Sequence, residues 1–183
     1  SSIMYLVKTY INVFYYNVMH FDNAIALSYS AYSLFIAMVA MPLAGGAADI
    51  IGKFKMSMLV GTAILLLILP TMLLMSAEET WQQILALTVL GMLAGSIAGT
   101  AYIFVISLFT AEQKFTGVAF SYNFAIAIFG GTSPIISRWL VEHTKLFYAP
   151  AFYIMIIAAI FLIIMYMMRR VIKQLLNSYE QKK

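Results

Sequence analysis

The chain has no cysteine, two histidines and little charge: 10% of its 183 residues are Asp, Glu, Lys or Arg. Each scarcity excludes something. Without cysteine there can be no disulfide, no thioether-linked haem and no thiolate metal centre. His20 and His143 both fall in segments read as loops, so no histidine metal cluster is available, and neither metal nor cofactor is expected. What remains is apolar: 63% of the residues are hydrophobic, and the mean hydropathy is +0.93. A soluble domain of this size has too little interior to hide that much apolar surface, so the solvent is lipid. The formal net charge of +4 is accounted for by bases flanking apolar runs and calls for no nucleic acid.

Six apolar runs are legible, at about 3–19, 23–47, 56–75, 81–109, 116–141 and 148–168, followed by a basic tail at 169–183. Most reach the roughly 20 residues that a helix needs to cross a hydrocarbon core, and the first falls short. The runs are long and lack ten-residue alternation, which favours helices over a barrel. The expected fold is all-α and polytopic, a bundle of six transmembrane helices. Twelve tyrosines and two tryptophans suit membrane interfaces, where a ring can be buried while its polar tip stays wet. The chain opens without methionine or a signal peptide, and Ser1 enters an apolar run almost at once. This reads as a fragment, a processed product or one part of a split protein.

With six spans, Lys53, Lys55, Lys114, Arg169, Arg170, Lys173, Lys182 and Lys183 fall on one side, while Lys145, with Arg138 near it, falls on the other. The excess of bases places the loop at Asp49 and the C-terminus in the cytoplasm of a multi-pass membrane protein. Arg169, Arg170 and Lys173 read as membrane-surface anchors, and Arg138, beside Trp139, as an interface anchor. Ser76-Ala77-Glu78-Glu79 and Thr110-Ala111-Glu112-Gln113 read as capping boxes that open the following spans.

The third and sixth runs carry almost no polar side chains and are expected outermost, against lipid. The other four carry polar stripes. Tyr5, Thr9, Asn12 and Tyr16 recur at helical spacing in the first, and Lys8, Asn12 and Tyr15 overlap that face. The second offers Ser28, Tyr29, Tyr32 and Ser33, the fourth Thr100 and Tyr102, and the fifth Ser121, Tyr122 and Asn123. Polar groups at membrane depth face a protein interior or a watery cavity. Tyr5, Lys8, Thr9, Asn12, Tyr29, Tyr102, Tyr122 and Asn123 are therefore the substrate-cavity candidates. Lys8, the one charge within a span, either lines that cavity or snorkels to an interface.

Glycine and proline mark the moving or tightly packed parts. Gly91, Gly95 and Gly99 form a small-xxx-small ladder that lets two helices approach closely, as fixed packing or as a sliding surface. Gly130, Gly131 and Pro134 break the helical hydrogen-bond ladder, giving either a hinge that lines a cavity or a passive kink. Between the second and third runs, Gly45-Gly46-Ala47-Ala48-Asp49-Ile50-Ile51-Gly52-Lys53-Phe54-Lys55 forms a polar hinge. Gly52 allows a turn within three residues, and Asp49 can accept from the exposed amides of a helix start.

That hinge, Gly-x-x-x-Asp-x-x-Gly-Lys, resembles the loop signature of the major facilitator superfamily, found between the second and third helices of each six-helix half. A sharper resemblance lies in the fifth span. Phe115-Thr116-Gly117-Val118-Ala119-Phe120-Ser121-Tyr122-Asn123, followed by Ile128-Phe129-Gly130-Gly131-Thr132-Ser133-Pro134, is similar to the eleventh helix of the metabolite:proton symporter branch, which includes proline/betaine transporters. Thr9-Tyr10 fits the seventh helix of that branch. The resemblance covers essentially the whole chain and implies helices seven to twelve, the C-terminal half of a bacterial inner-membrane transporter.

It implies alternating access for a small carboxylate or zwitterion such as proline or betaine, with the proton as coupling ion. The partners would be the bilayer and an N-terminal six-helix half or second chain. Tyrosines could meet a quaternary ammonium and Lys8 a carboxylate. No acid lies deep in these spans, so proton-taking acids would come from the other half. Gly45, Asp49, Gly52 and Lys53 would latch the cytoplasmic side, although Lys53, Phe54 and Ile50 stand where the family favours bases including arginine. The main rival is a non-transporting scaffold or partner subunit derived from such a half. An intramembrane enzyme is disfavoured: there is no His-Glu-x-x-His, no paired intramembrane aspartates, and no Gly-x-Ser-Gly with a membrane histidine.

Overall fold

A computed structural model of the chain describes residues 2–107, 109, 112 and 114–180. Among these residues all regular structure is helical. The first span is assembled from α1 (Ser2–Tyr5), a π-helical segment (Leu6–Tyr10) and α2 (Ile11–Asn17). Then come α3 (Asn23–Ile51), α4 (Lys53–Leu74) and α5 (Thr80–Ser107). The fifth span joins α6 (Lys114–Ala125), a second π segment (Ile126–Gly130) and α7 (Gly131–Thr144), and α8 runs over Ala149–Glu180. Five of the six stretches are long and apolar enough to cross a membrane. The first, at about 24 Å by helical rise, is the shorter sixth. The helix of the sixth span continues without a break into the basic tail, as far as Glu180.

Two side-chain contacts fix the alternation of these helices. At one end, the Tyr10 hydroxyl donates to the Phe147 carbonyl and the buried Tyr15 hydroxyl donates to the Met75 carbonyl at 3.1 Å. The first span's exit and the loops after α4 and α7 therefore meet there, over rings of Phe14, Tyr15, Phe21, Tyr29 and Phe147 packed at centroid distances of 4.7–5.6 Å. This is called the Phe147 end below. At the other, the Gly52 end, Phe104 and Met165 are buried against Phe54, Met58 and Phe161. Tyr15→Phe removes a buried donor and leaves the Met75 carbonyl unpaired. It should lower thermal stability in detergent by about 1–2 kcal/mol, read from the unfolding midpoint.

α3 and α5 pack most intimately. A Cβ placed on Gly91, Gly95 or Gly99 would lie 2.5, 2.2 or 2.3 Å from the carbonyl oxygens of Ser33, Ala37 and Met41 respectively. The ladder is thus a backbone-on-backbone seam, flanked by the Ser33 hydroxyl donating to Leu87 O at 2.9 Å and by the Tyr32–Thr88 hydroxyl pair. α4 and α8 pack on one another, and the fifth span is the one least covered by the rest of the chain.

Three local expectations are revised. Ser76 does not cap the next helix: α5 starts at Thr80, where Glu79 O accepts from Gln82 and Gln83, while the Ser76 hydroxyl turns back to Leu73 O. A hydroxyl three residues past an open carbonyl satisfies the ending helix before it reaches the next one. Asp49 does not cap α4 either. It lies in the last turn of α3, exposed and without a hydrogen-bond partner among the described residues, and the N-cap of α4 is Gly52. Lastly, Gly130, Gly131 and Pro134 do not interrupt the fifth span, which widens to π geometry and resumes as α-helix. The box read at Thr110, Ala111, Glu112 and Gln113, and the side chains of Lys114, Arg170, Lys173, Lys182 and Lys183, fall wholly or in part outside the described residues.

Candidate functional site

The two π segments lie in spans that pack on one another, the second against α1 and the first against α7. Such one-turn widenings leave carbonyls needing partners and cluster at functional sites. Pro134 cannot donate to the Phe129 carbonyl five residues back, and that oxygen accepts from the Ser133 hydroxyl and, across the interface, from the Ser2 hydroxyl at 3.0 Å. Gly130 is buried here under the Tyr5 ring, whose Cε2 would be 2.9 Å from an added Cβ. Proline, serine and glycine in this stretch therefore let the first span dock on a widened helix whose freed carbonyl is doubly satisfied.

From this contact towards the Phe147 end, the first span and α7 diverge around a cavity of about 520 Å³. Tyr5, Thr9, Tyr10 and Phe14 wall it on one side, and Ser133, Ser137, Arg138 and Glu142 on the other. Arg138 Nε donates to Glu142 Oε1 at 2.6 Å, one turn along the same helix. Ser137 and Glu142 were not singled out from the sequence, and Arg138 stood there as an interface anchor. Their spacing held the signal, because 133, 134, 137, 138, 141 and 142 repeat as one helical face.

The remaining cavity candidates are dispersed. Lys8 is exposed and makes no ion pair among the described residues. Asn12 is half-buried, with its Nδ2 lacking a partner. Tyr15 does not share their face: it is fully buried and stacks edge-on to the half-buried Tyr29 at 4.7 Å. Extra backbone in the π segment rotates the helix, which parts residues that plain 3.6-residue spacing would align. Tyr29 belongs to the same aromatic cluster.

Nearer the Gly52 end, two exposed tyrosines come together across α5 and α6. The Tyr102 and Tyr122 rings meet edge to face, with centroids 5.8 Å apart. Asn123 beside them is exposed and folds its amide back onto Ala119 O at 2.8 Å. No group of His, Asp and Glu able to hold a metal occurs among the described residues.

The model of the major facilitator superfamily matches residues 1–182. The chain belongs to the major facilitator superfamily. Membership places this facilitator chain in a family of membrane transporters and not among enzymes. Its relatives include an ectoine/proline transporter of Corynebacterium glutamicum, 27% identical over 85% of the chain and 31% of the relative. A Staphylococcus haemolyticus protein named for proline/betaine transport is 30% identical over 68% of the chain and 27% of the relative. A glycine betaine/proline/ectoine/pipecolic acid transporter of Dickeya dadantii is 23% identical over 85% of the chain and 31% of the relative. The facilitator chain thus spans about a third of the length of the curated relatives it matches. No solved structure matches it.

Proposed function

We propose that this chain is the C-terminal half of a proton-coupled transporter for a small zwitterion or carboxylate such as proline or betaine. The transporter works by alternating access in a bacterial inner membrane. A six-helix N-terminal half or a second chain completes the cavity and supplies the acids that carry protons. The Gly52 end and the C-terminus face the cytoplasm, in keeping with Lys53, Lys55 and Arg169 at that end. There Gly45, Asp49, Gly52 and Lys53 latch the two halves. Asp49, at a helix C-terminus where a carboxylate is disfavoured and with no partner within the described chain, is free to meet one from the other half.

One observation carries the substrate class: the Tyr102–Tyr122 pair, edge to face on an exposed surface at membrane depth, with Asn123 adjacent. Tyr122 lies about 12 Å along the helix from Lys114. Two rings at that angle offer one face and one edge, and a quaternary or secondary ammonium gains about 0.5–2 kcal/mol at a desolvated ring face. The relatives are named for ectoine and proline and for glycine betaine, proline, ectoine and pipecolic acid, solutes of this chemistry.

Uptake of radiolabelled glycine betaine and proline tests the reading, in cells stripped of their other carriers and expressing the chain from its natural gene. Uptake should collapse with a protonophore. Tyr102→Ala with Tyr122→Ala should raise the half-saturating betaine concentration severalfold, through loss of the one exposed ring face worth about 0.5–2 kcal/mol. Unchanged uptake in the double variant removes the pair from the substrate path. Wild-type cells that take up neither solute remove the substrate class.

A further inference from the structure

The cavity between the first span and α7 has a charged mouth that the proposed substrate path does not use. Arg138 reaches Glu142 through Nε alone. The two terminal guanidinium nitrogens have no protein partner among the described residues, and neither has Glu142 Oε2. An arginine held by Nε keeps its Nη1–Nη2 edge free, and that edge matches a carboxylate with two parallel hydrogen bonds. Behind the pair the walls are mostly apolar and aromatic, including the rings of Tyr5, Tyr10 and Phe14. The Tyr10 hydroxyl is tied to the Phe147 carbonyl, so its ring is fixed in the wall. The volume of about 520 Å³ suits a small molecule. Arg138 stands about 9 Å inside the end of α7.

We propose that Arg138 and Glu142 form a second, separate recognition site for a small zwitterion at the Phe147 end of the bundle. The free edge of Arg138 takes the carboxylate. Glu142 and the aromatic wall take the cation, so that one ligand spans both charges of the pair. A plain anion would gain Arg138 but meet the Glu142 carboxylate, and a plain cation would meet Arg138. The site therefore selects for both charges at once. The proposal rests on the transporter reading and adds to it a first docking point, on the side opposite the Tyr102–Tyr122 pair. An interface anchor needs only a positive charge at this depth, which lysine supplies equally well. Recognition by a planar fork needs arginine.

The experiment is binding of radiolabelled glycine betaine and proline to the purified chain in lipid nanodiscs, with 3,3-dimethylbutyrate, the uncharged-headgroup isostere of betaine, as competitor. Arg138→Lys should weaken betaine binding roughly tenfold while the helical circular-dichroism signal and nanodisc insertion stay unchanged. Glu142→Gln should narrow the preference for betaine over 3,3-dimethylbutyrate, a change that loss of a merely structural pair would not produce. Betaine binding within twofold of wild type in both variants overturns the site and leaves Arg138 an anchor. So does an unaltered betaine preference in Glu142→Gln, or a wild-type chain that binds neither zwitterion. Uptake separates the two proposals. If cells lose transport with Tyr122→Ala and keep it with Arg138→Lys, the second site falls and the transporter stands. If wild-type cells show no transport of either solute, the substrate class on which both proposals rest falls.

Discussion

Gly95→Leu should eliminate the folded chain: little monodisperse protein in mild detergent, and an unfolding midpoint too low to measure in what remains. The reason is geometric. An added Cβ would lie 2.2 Å from Ala37 O and 2.9 Å from both Ala37 C and Ala37 Cα, atoms of a helix backbone that has no rotamer to escape into. Relief requires moving α3, and α3 is held along the same seam by Gly91 against Ser33 O and Gly99 against Met41 O. The Ser33 hydroxyl bond to Leu87 O is held in the same register. Overpacking of a well-filled interior costs about 1–3 kcal/mol, and a bulky branched residue between two backbones belongs above that range. Gly95→Ala, with the same Cβ and nothing more, should give a measurable but smaller loss. A Gly95→Leu chain that elutes and melts like wild type would mean that α3 and α5 do not touch here, and the ladder would return to being a sliding surface.

That ladder was legible because its message is simple: glycine every four residues in an apolar run has few uses other than close approach. The same holds for the apolar runs, whose length is dictated by the bilayer, and for Gly52, which sits where one helix must become two. Other features were hidden for identifiable reasons. A π segment is a slip in hydrogen-bond register, and nothing in the composition of Leu6–Tyr10 announces it. Its effect is to turn Tyr15 into the core and leave Lys8 outside, which separates residues that share a face on an ideal wheel. In the fifth span, Gly130 and Pro134 did signal an irregularity. Whether the helix breaks or widens depends on who serves the freed carbonyl, and Ser2, from another helix, is one of the two donors. Arg138 read only as an interface anchor, and Glu142 was not singled out, because the cavity they line is completed by Tyr5 and Tyr10, more than a hundred residues away in the chain. Local patterns report how a helix is made; they report its neighbours only when, like the glycine ladder, the pattern admits few neighbours.

Gly46→Ala and Gly52→Ala should move stability in opposite directions, though the two glycines are six residues apart and neither has a neighbour within 4 Å of a built Cβ. At Gly46, inside α3, alanine meets open space and a helical backbone. It should stabilise the purified chain by about 0.5–1 kcal/mol, because glycine gives up more backbone freedom on folding than alanine does. At Gly52 the backbone sits at φ 101°, ψ 131°, a region that side chains with a Cβ avoid, and alanine should cost about 1–3 kcal/mol from strain alone. The consequence reaches beyond one residue. The Gly52 amide closes α3 onto Ala48 O at 3.0 Å, and the Gly52 carbonyl opens α4 by accepting from Met56 at 2.9 Å. A single residue therefore ends one helix of 29 residues and starts another of 22. Relaxing it shifts the last turn of α3, which carries Asp49. Paired unfolding midpoints in detergent decide the matter: equal losses would mean that both glycines are packed against something, whereas a gain at Gly46 and a loss at Gly52 identify the turn as a backbone requirement. In the assembled transporter proposed above the comparison becomes a probe. If Gly46→Ala stabilises the isolated chain yet weakens uptake, the open face of α3 beside Asp49 is where the other half closes.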